Sequence, residues 1–272
     1  AEVRRPPKPC ENGGCASKRT PMVDVQAMSR CHQVLCEVLA AMGDAAAESY
    51  LIGGWAIYYV LDRPDRPVTR LPYAGTLDVD VALVFQMSRR GEIIETLIHQ
   101  GYLRDNRIEN RLLRPFPEGG IEPVAVDFLP GDNEVLQNLT HPIRVVGKTP
   151  EGTPFDGSVA VANMEACLAM KAIAFHQDPK DKDAYDIYYL VTHARDEQGD
   201  CTDHVKVTLD RPLVRRGLEA LTVHFGRREG RGLRKAMQML RDQDGMSSVE
   251  ARAAVRGSLR AFFNKLGRAV DY

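Results

Sequence analysis

Two aspartates two positions apart, in the run TLDVDV, have the clearest chemical potential in this 272-residue chain. On an extended strand Asp78 and Asp80 share a face, with their Cβ atoms about 6.5–7 Å apart. Carboxylates held that close repel each other unless a cation neutralises them. Mg²⁺ or Mn²⁺ suits such a pair, because these hard ions take carboxylate oxygens and complete their shells with water and substrate phosphates. A third acid, Asp127, sits inside the apolar run VAVDFL, where a strand has no packing use for a charge. Three aspartates on two neighbouring strands could hold two metal ions, or hold metal and accept the proton of an attacking hydroxyl.

Upstream, Gly53-Gly54 ends one element and opens another. Backbone N–H groups at a helix start attract phosphate, and glycine lets the phosphate come close. Alone the pair would be an ordinary turn; with paired aspartates about 24 residues later it reads as part of a phosphate site. Lys171, in the apolar run LAMKAIAF, is either a lysine snorkelling from a helix or an ammonium placed to meet phosphate charge.

These residues need particular elements beneath them. Val25, Met28, Val34, Leu35, Val38, Leu39 and Met42 recur at helical spacing, so a helix is expected from Val23. A short buried strand is expected over 49–52 and a helix over 55–61. The three-proline stretch 62–75 must be a loop. The clearest strand is 76–85, with Leu77, Val79 and Val81 on one face and Thr76, Asp78 and Asp80 on the other. A helix over 88–99 and strands over 108–113 and 124–129 follow. After Pro154 the pattern becomes helical, over 164–176, 184–194, 213–225, 232–240 and 249–270, the last carrying one apolar stripe from Val255 to Val270. The expected class is therefore α+β: a mixed sheet with flanking helices, followed by an all-helical C-terminal part.

The order LIGGWA, TLDVDV, VAVDFL resembles the polymerase-β-type nucleotidyltransferase superfamily, with its Gly-Gly turn, paired-aspartate strand and third-aspartate strand. The segment CLAMKAIAFHQDPKDKDAYDIYYL resembles the lysine and D-x-x-D helical pair of the AbiEii-type nucleotidyltransferase toxins and their MenT-like relatives. Together the two cover residues 48–192. The Pro- and Gly-rich start predicts a flexible tail over 1–22, and the change of pattern near 152–157 divides the rest into a domain over 23–157, a nucleotidyltransferase domain by the resemblance, and a helical domain over 158–272. The resemblance implies transfer of an NMP from an NTP, with Asp78, Asp80 and Asp127 as metal ligands and Asp127 as third ligand or base. Gly53 and Gly54 would receive terminal phosphates, and Lys171 would neutralise phosphate charge. Thr76 fills a position shortly before the paired aspartates where the family places a basic or hydroxyl residue. Arg63, Arg66 and Arg70 all qualify as the basic residue of the preceding loop, with Arg70 set beside Thr76 as nucleotide-binding. Asp183 and Asp186 would orient Lys171 or contact the nucleotide or acceptor; their plainer reading is helix capping and pairing with Lys180 or Lys182.

Charge is distributed unevenly: residues 205–272 hold 15 basic and 7 acidic side chains, and residues 1–204 hold 21 and 30. Arg252, Arg256 and Arg260 form a row on one helix face, alongside Arg215, Arg216, Arg227, Arg228, Arg231, Arg234 and Lys235. Such a patch suits a polyanion. The resemblance then implies RNA, and tRNA in particular, as acceptor, with a cognate antitoxin as partner in a toxin–antitoxin or phage-defence pair. The runner-up is modification of a small hydroxyl compound such as an aminoglycoside, for which the acidic first part would suit. A non-catalytic nucleotide-binding relative is the third reading, disfavoured by the presence of all three acids.

No run approaches the roughly 18 apolar residues of a membrane span, and the N-terminus reads as no signal peptide. Six cysteines are too sparse for a disulfide scaffold, so a reducing cytoplasm is expected. Cys10/Cys15 and Cys31/Cys36 have loose spacing for zinc, and the second pair is rotated apart on a helix.

Overall fold

The computed structural model describes residues 25–62, 75–84, 87–116 and 122–270. The tail expected over 1–22, Cys10 and Cys15, and Arg63, Arg66 and Arg70 lie outside those residues.

The first helix, α1 (Val25–Met42), buries Val34, Leu35, Val38, Leu39 and Met42 at the spacing read from the sequence. Strand β1 (Ser49–Ile52) leads directly into α2 (Gly53–Leu61), so the helix opens on the first glycine rather than at Trp55. Strand β2 (Asp78–Leu83) is shorter than expected. Val79 and Val81 are wholly buried, whereas Leu77 precedes the strand and is exposed; Thr76 is instead the buried residue there. After α3 (Met87–His99) come β3 (Leu103–Arg104), β4 (Arg111–Arg114) and β5 (Val124–Pro130). The strand expected from Ile108 starts three residues later because the chain turns first. Arg111 donates its backbone N–H to the Ile108 carbonyl, and Asn110 takes φ 72°, a left-handed conformation that asparagine tolerates.

The largest departure is at residues 140–162. After α4 (Asn133–Asn138), strands β6 (Thr140–Lys148) and β7 (Pro154–Ala162) form a long hairpin. The chain is therefore not helical from Pro154. The division expected at Gly157 falls inside β7, and the helices begin at Met164. The described strands form a mixed sheet in the order β3-β4-β5-β2-β1-β7-β6, with β2/β5 and β1/β7 parallel and the other pairs antiparallel. Val79, Val81, Val126 and Phe128 lie side by side beneath the two central strands. Each stabilises the fold by about 1.5–3 kcal/mol through burial.

The remainder comprises α5 (Met164–Gln177), α6 (Asp181–His193), a ribbon β8 (Arg195–Asp196)/β9 (Gly199–Asp200), α7 (Cys201–Val207), α8 (Pro212–Phe225), α9 (Arg231–Gln243) and α10 (Ser248–Lys265). The ribbon and α7 were not expected. Helix α10 stops five residues before Val270; Gly267, at φ 70°, follows its C-cap Leu266. Its stripe is buried at Val255, Leu259, Phe262 and Phe263 and only partly at Leu266 and Val270. Helices α5 and α8 cross closely: a Cβ on Gly217 would lie 2.4 Å from the Ala169 Cα. Among the described residues no helix is long and apolar enough to cross a membrane.

Candidate active site

Strands β1 and β2 run antiparallel with Ile52 opposite Asp80, so the chain leaves β1 directly against the acids. Gly53 takes φ 64°, and a Cβ there would lie 1.9 Å from Asp80 Oδ2; a Cβ on Gly54 would lie 2.2 Å from Thr76 Oγ1. The glycine pair is therefore required by the site itself, since any side chain would occupy the space of Asp80 or Thr76. Thr76 Oγ1 donates a hydrogen bond to Asp78 Oδ1 at 2.5 Å, fixing that carboxylate from behind.

Asp127 on β5 lies in register with Asp80 on β2, so the three sequence-predicted acids are brought to one end of two parallel strands. The structure adds a residue that the sequence reading missed. Arg111 on β4 sits opposite Asp127 and grips it side-on, Nε to Oδ1 at 2.7 Å and Nη2 to Oδ2 at 2.6 Å. A half-buried acid on an inner strand calls for a cation across the ladder, and that was the available signal. Burial pushes the Asp80 carboxyl up to about 7, with Asp78 and Asp127 pushing the same way against Lys171 and Arg111.

The opposite wall comes from the helices. Lys171 of α5 places Nζ 2.8 Å from Asp183 Oδ1 and 2.9 Å from Asp186 Oδ2, and Lys182 Nζ lies 2.5 Å from Asp186 Oδ1. Burial alone would lower the Lys171 ammonium, but Asp186 and Asp183 hold it above the ordinary lysine value. Burial likewise opposes the Asp186 charge, and Lys182 and Lys171 hold that carboxyl below its usual range. Asp186 is fully buried, so it faces the two lysines rather than a ligand.

Between the walls lies a cavity of about 950 Å³, onto which Gly53, Gly54, Thr76, Asp78, Asp80, Arg111, Asp127, Lys171 and Asp183 all open. Lys180, Lys182 and Arg216 also line it. The other basic residues singled out in the C-terminal helices do not. Arg256 is tied back to the Arg228 carbonyl and Glu229, so the row Arg252, Arg256, Arg260 is not three outward cations. Cys31 and Cys36 are buried free thiols.

The donor set of Asp78 and Asp80, carboxylate oxygens alone, fits a hard divalent cation. Among the described residues no three His, Cys, Asp or Glu stand grouped to hold a metal ion. Arg111 meets both oxygens of Asp127, while Asp78, Asp80 and Asp127 line the same cavity.

The family described as nucleotidyl transferase AbiEii toxin, type IV toxin–antitoxin system, matches residues 78–270. Among solved structures, the antibiotic-resistance factor ANT(2'')-Ia, solved in solution, is 16% identical over 87% of this chain and 94% of its own, with a TM-score of 0.34. A likeness that loose bears on no residue or substrate. No curated protein matches.

Proposed function

The chain belongs to the AbiEii nucleotidyl transferase toxin family and is a nucleotidyltransferase, and from that premise we propose that it moves an NMP unit from an NTP onto RNA, with tRNA as acceptor, assisted by a divalent cation. The observation that carries this reading is the crowding of Asp80 with Asp78 and Asp127 beside two glycines that no side chain could replace. A carboxylate raised by burial, and further by the aspartates beside it, and opening on a cavity of this size, marks a place where a cation is meant to sit.

Asp78 and Asp80 would hold Mg²⁺ or Mn²⁺, which supplies neutralisation of the triphosphate charge. The N-terminus of α2 at Gly53 and Gly54 receives the terminal phosphates on its backbone N–H groups. Lys171, fixed by Asp183 and Asp186, meets phosphate charge from the helical wall. Asp186 is a positioning residue in this scheme, whereas Asp183 reaches the cavity and can also contact the nucleotide. Thr76 orients Asp78. The acceptor hydroxyl oxygen bonds to the α-phosphorus while the bond from that phosphorus to pyrophosphate breaks; pyrophosphate leaves towards the glycine turn and the hydroxyl proton passes to solvent water. Lys180, Lys182 and Arg216 make the helical side of the cavity attractive to an anionic acceptor. The sheet with its covering helices, closed by Lys171 of α5, forms the nucleotide-holding part, and the rest of the helical part faces the acceptor. A cognate antitoxin is the expected protein partner, as in other type IV systems.

The test is incubation with each α-labelled NTP, Mg²⁺ and total tRNA, with Asp78→Asn as control. Label moving to RNA with wild type alone supports the reading and identifies the nucleotide. Label that never reaches RNA but does reach a small hydroxyl compound overturns the acceptor assignment.

A further inference from the structure

We propose that Arg111, held side-on by Asp127, is the binding residue for a phosphate of the anionic acceptor, and that Asp127 acts as its positioning residue. The proposal rests on the nucleotidyl-transfer reading above and adds to it a residue and a direction. Arg111 lies opposite Asp127 in the β4–β5 ladder, and the pair is joined through Nε and Nη2. That geometry leaves Nη1, which has no hydrogen-bond partner among the described residues, on a side chain that lines the cavity. A guanidinium gripped along one edge has lost its freedom to swing and presents its other edge in a fixed direction. Planar, charge-assisted recognition of phosphate is the use to which such an edge is best suited.

The sheet order tells which phosphate. Going outward from the glycine turn, the strands run β1, β2, β5, β4. At about 4.8 Å per strand, Arg111 stands roughly 14 Å from the turn that takes the terminal phosphates, with Asp78 and Asp80 between them. A triphosphate stretched from the glycines to the paired aspartates ends before β4. In-line displacement puts the acceptor on the side of the transferred phosphorus away from pyrophosphate, the side on which β4 lies. With Arg111 in place, Asp127 offers no bare charge to a polycationic acceptor, and this flank of the cavity instead presents a cation. Lys180 and Arg216 face the same cavity from the helices, so a polyanion is met from two sides.

The experiment measures two affinities separately on the full chain: total tRNA by filter binding over a salt series without nucleotide, and NTP with Mg²⁺ by equilibrium dialysis without RNA. For Arg111→Gln we expect RNA affinity to fall about tenfold, with a salt slope shallower by about one ion, while NTP affinity stays within about twofold. Arg111→Lys keeps charge but cannot repeat the side-on grip, and should recover only part of the loss. Asp127→Asn should weaken RNA binding almost as much, and the double variant should lose little more. Unchanged RNA affinity in Arg111→Gln, with at most a lower melting temperature, would make the pair a cross-strand strut and overturn the proposal. Loss of NTP affinity in parallel would place Arg111 on the nucleotide and overturn it too. Asp127→Asn that weakens NTP·Mg²⁺ alone would restore Asp127 as an independent cation ligand. Failure of the wild type to label RNA would defeat the functional reading, and the binding measurement would still decide the role of Arg111.

Discussion

The two walls of the cavity each bring several charged groups together, and they do so in opposite ways. On the helical wall Lys171 and Lys182 are matched by Asp183 and Asp186, two charges against two, all within 2.9 Å contacts. On the sheet wall three aspartates face one contacting cation, Arg111, and that cation is spent on Asp127. Asp186, wholly buried, keeps its carboxyl below the ordinary range, whereas Asp80 is pushed up to about 7. Burial alone therefore does not mark a ligand site. A balanced cluster fixes its own charges in place, as Asp183 and Asp186 fix Lys171; an unbalanced one opening on a cavity is waiting for charge from outside.

Neutralising one acid on each wall separates these roles most sharply. Asp80→Asn should reduce transfer by on the order of 10³-fold or more, at least about 4 kcal/mol in the barrier, measured as label moved per minute at saturating NTP. The same change should stabilise the cation-free chain, because it removes a charge the fold resists. The sign follows from the direction of the shift. The Asp80 carboxyl, normally near 3.8, is raised to about 7 in the folded chain, so folded protein keeps a proton that unfolded protein releases. Wild-type stability contributed by this group is full below about pH 4 and is lost as pH rises to about 7. The melting difference between Asp80→Asn and wild type should therefore grow across that window, by at most about 4 kcal/mol, and shrink again when Mg²⁺ is added. A difference that ignores both pH and Mg²⁺ would remove the imbalance as the signature of the site.

On the balanced wall the effect should reverse. Asp186→Asn leaves Lys171 and Lys182 short of a buried counter-charge and should cost about 3 kcal/mol in urea unfolding, with transfer still detectable. Stability unaffected by this change would show that the four charges are not a framework. Gly53→Ala should cost folding about 1–2 kcal/mol for a left-handed alanine, and more for the methyl that must displace Asp80, with a disproportionate effect on transfer. Equal losses in melting and in turnover would reduce Gly53 to a turn residue.

Much of this arrangement is legible in the sequence because the informative residues break a pattern. Asp78, Asp80 and Asp127 interrupt runs that otherwise read as buried strands, and Lys171 interrupts an apolar helix; each pointed to the cavity it lines. Arg111 breaks nothing. It opens the short strand RLLR, whose two arginines look like ordinary strand ends, and its meaning appears only once the ladder sets it opposite Asp127. The β6–β7 hairpin was hidden for another reason. Pro142, Gly147 and Gly157 punctuate its strands, and the more covered face carries His141, Gly147 and Gly157 among its positions, so the apolar alternation that announces a half-buried strand is weak. The arginine row on α10 shows the reverse error: spacing placed three cations on one face, and a neighbouring loop then took Arg256 for itself.

The contact between Gly217 and Ala169 has a mechanical meaning. With backbone nearly touching backbone, α5 and α8 cannot slide or part without losing the whole crossing, so Lys171 and Arg216, each within two residues of it, travel as fixtures of one rigid jaw. A single added methyl at position 217 would act as a shim, tilting that jaw and widening the gap it shares with the sheet. The gauge of the cavity is thus set by a side chain that is missing, at a point remote from any reacting atom.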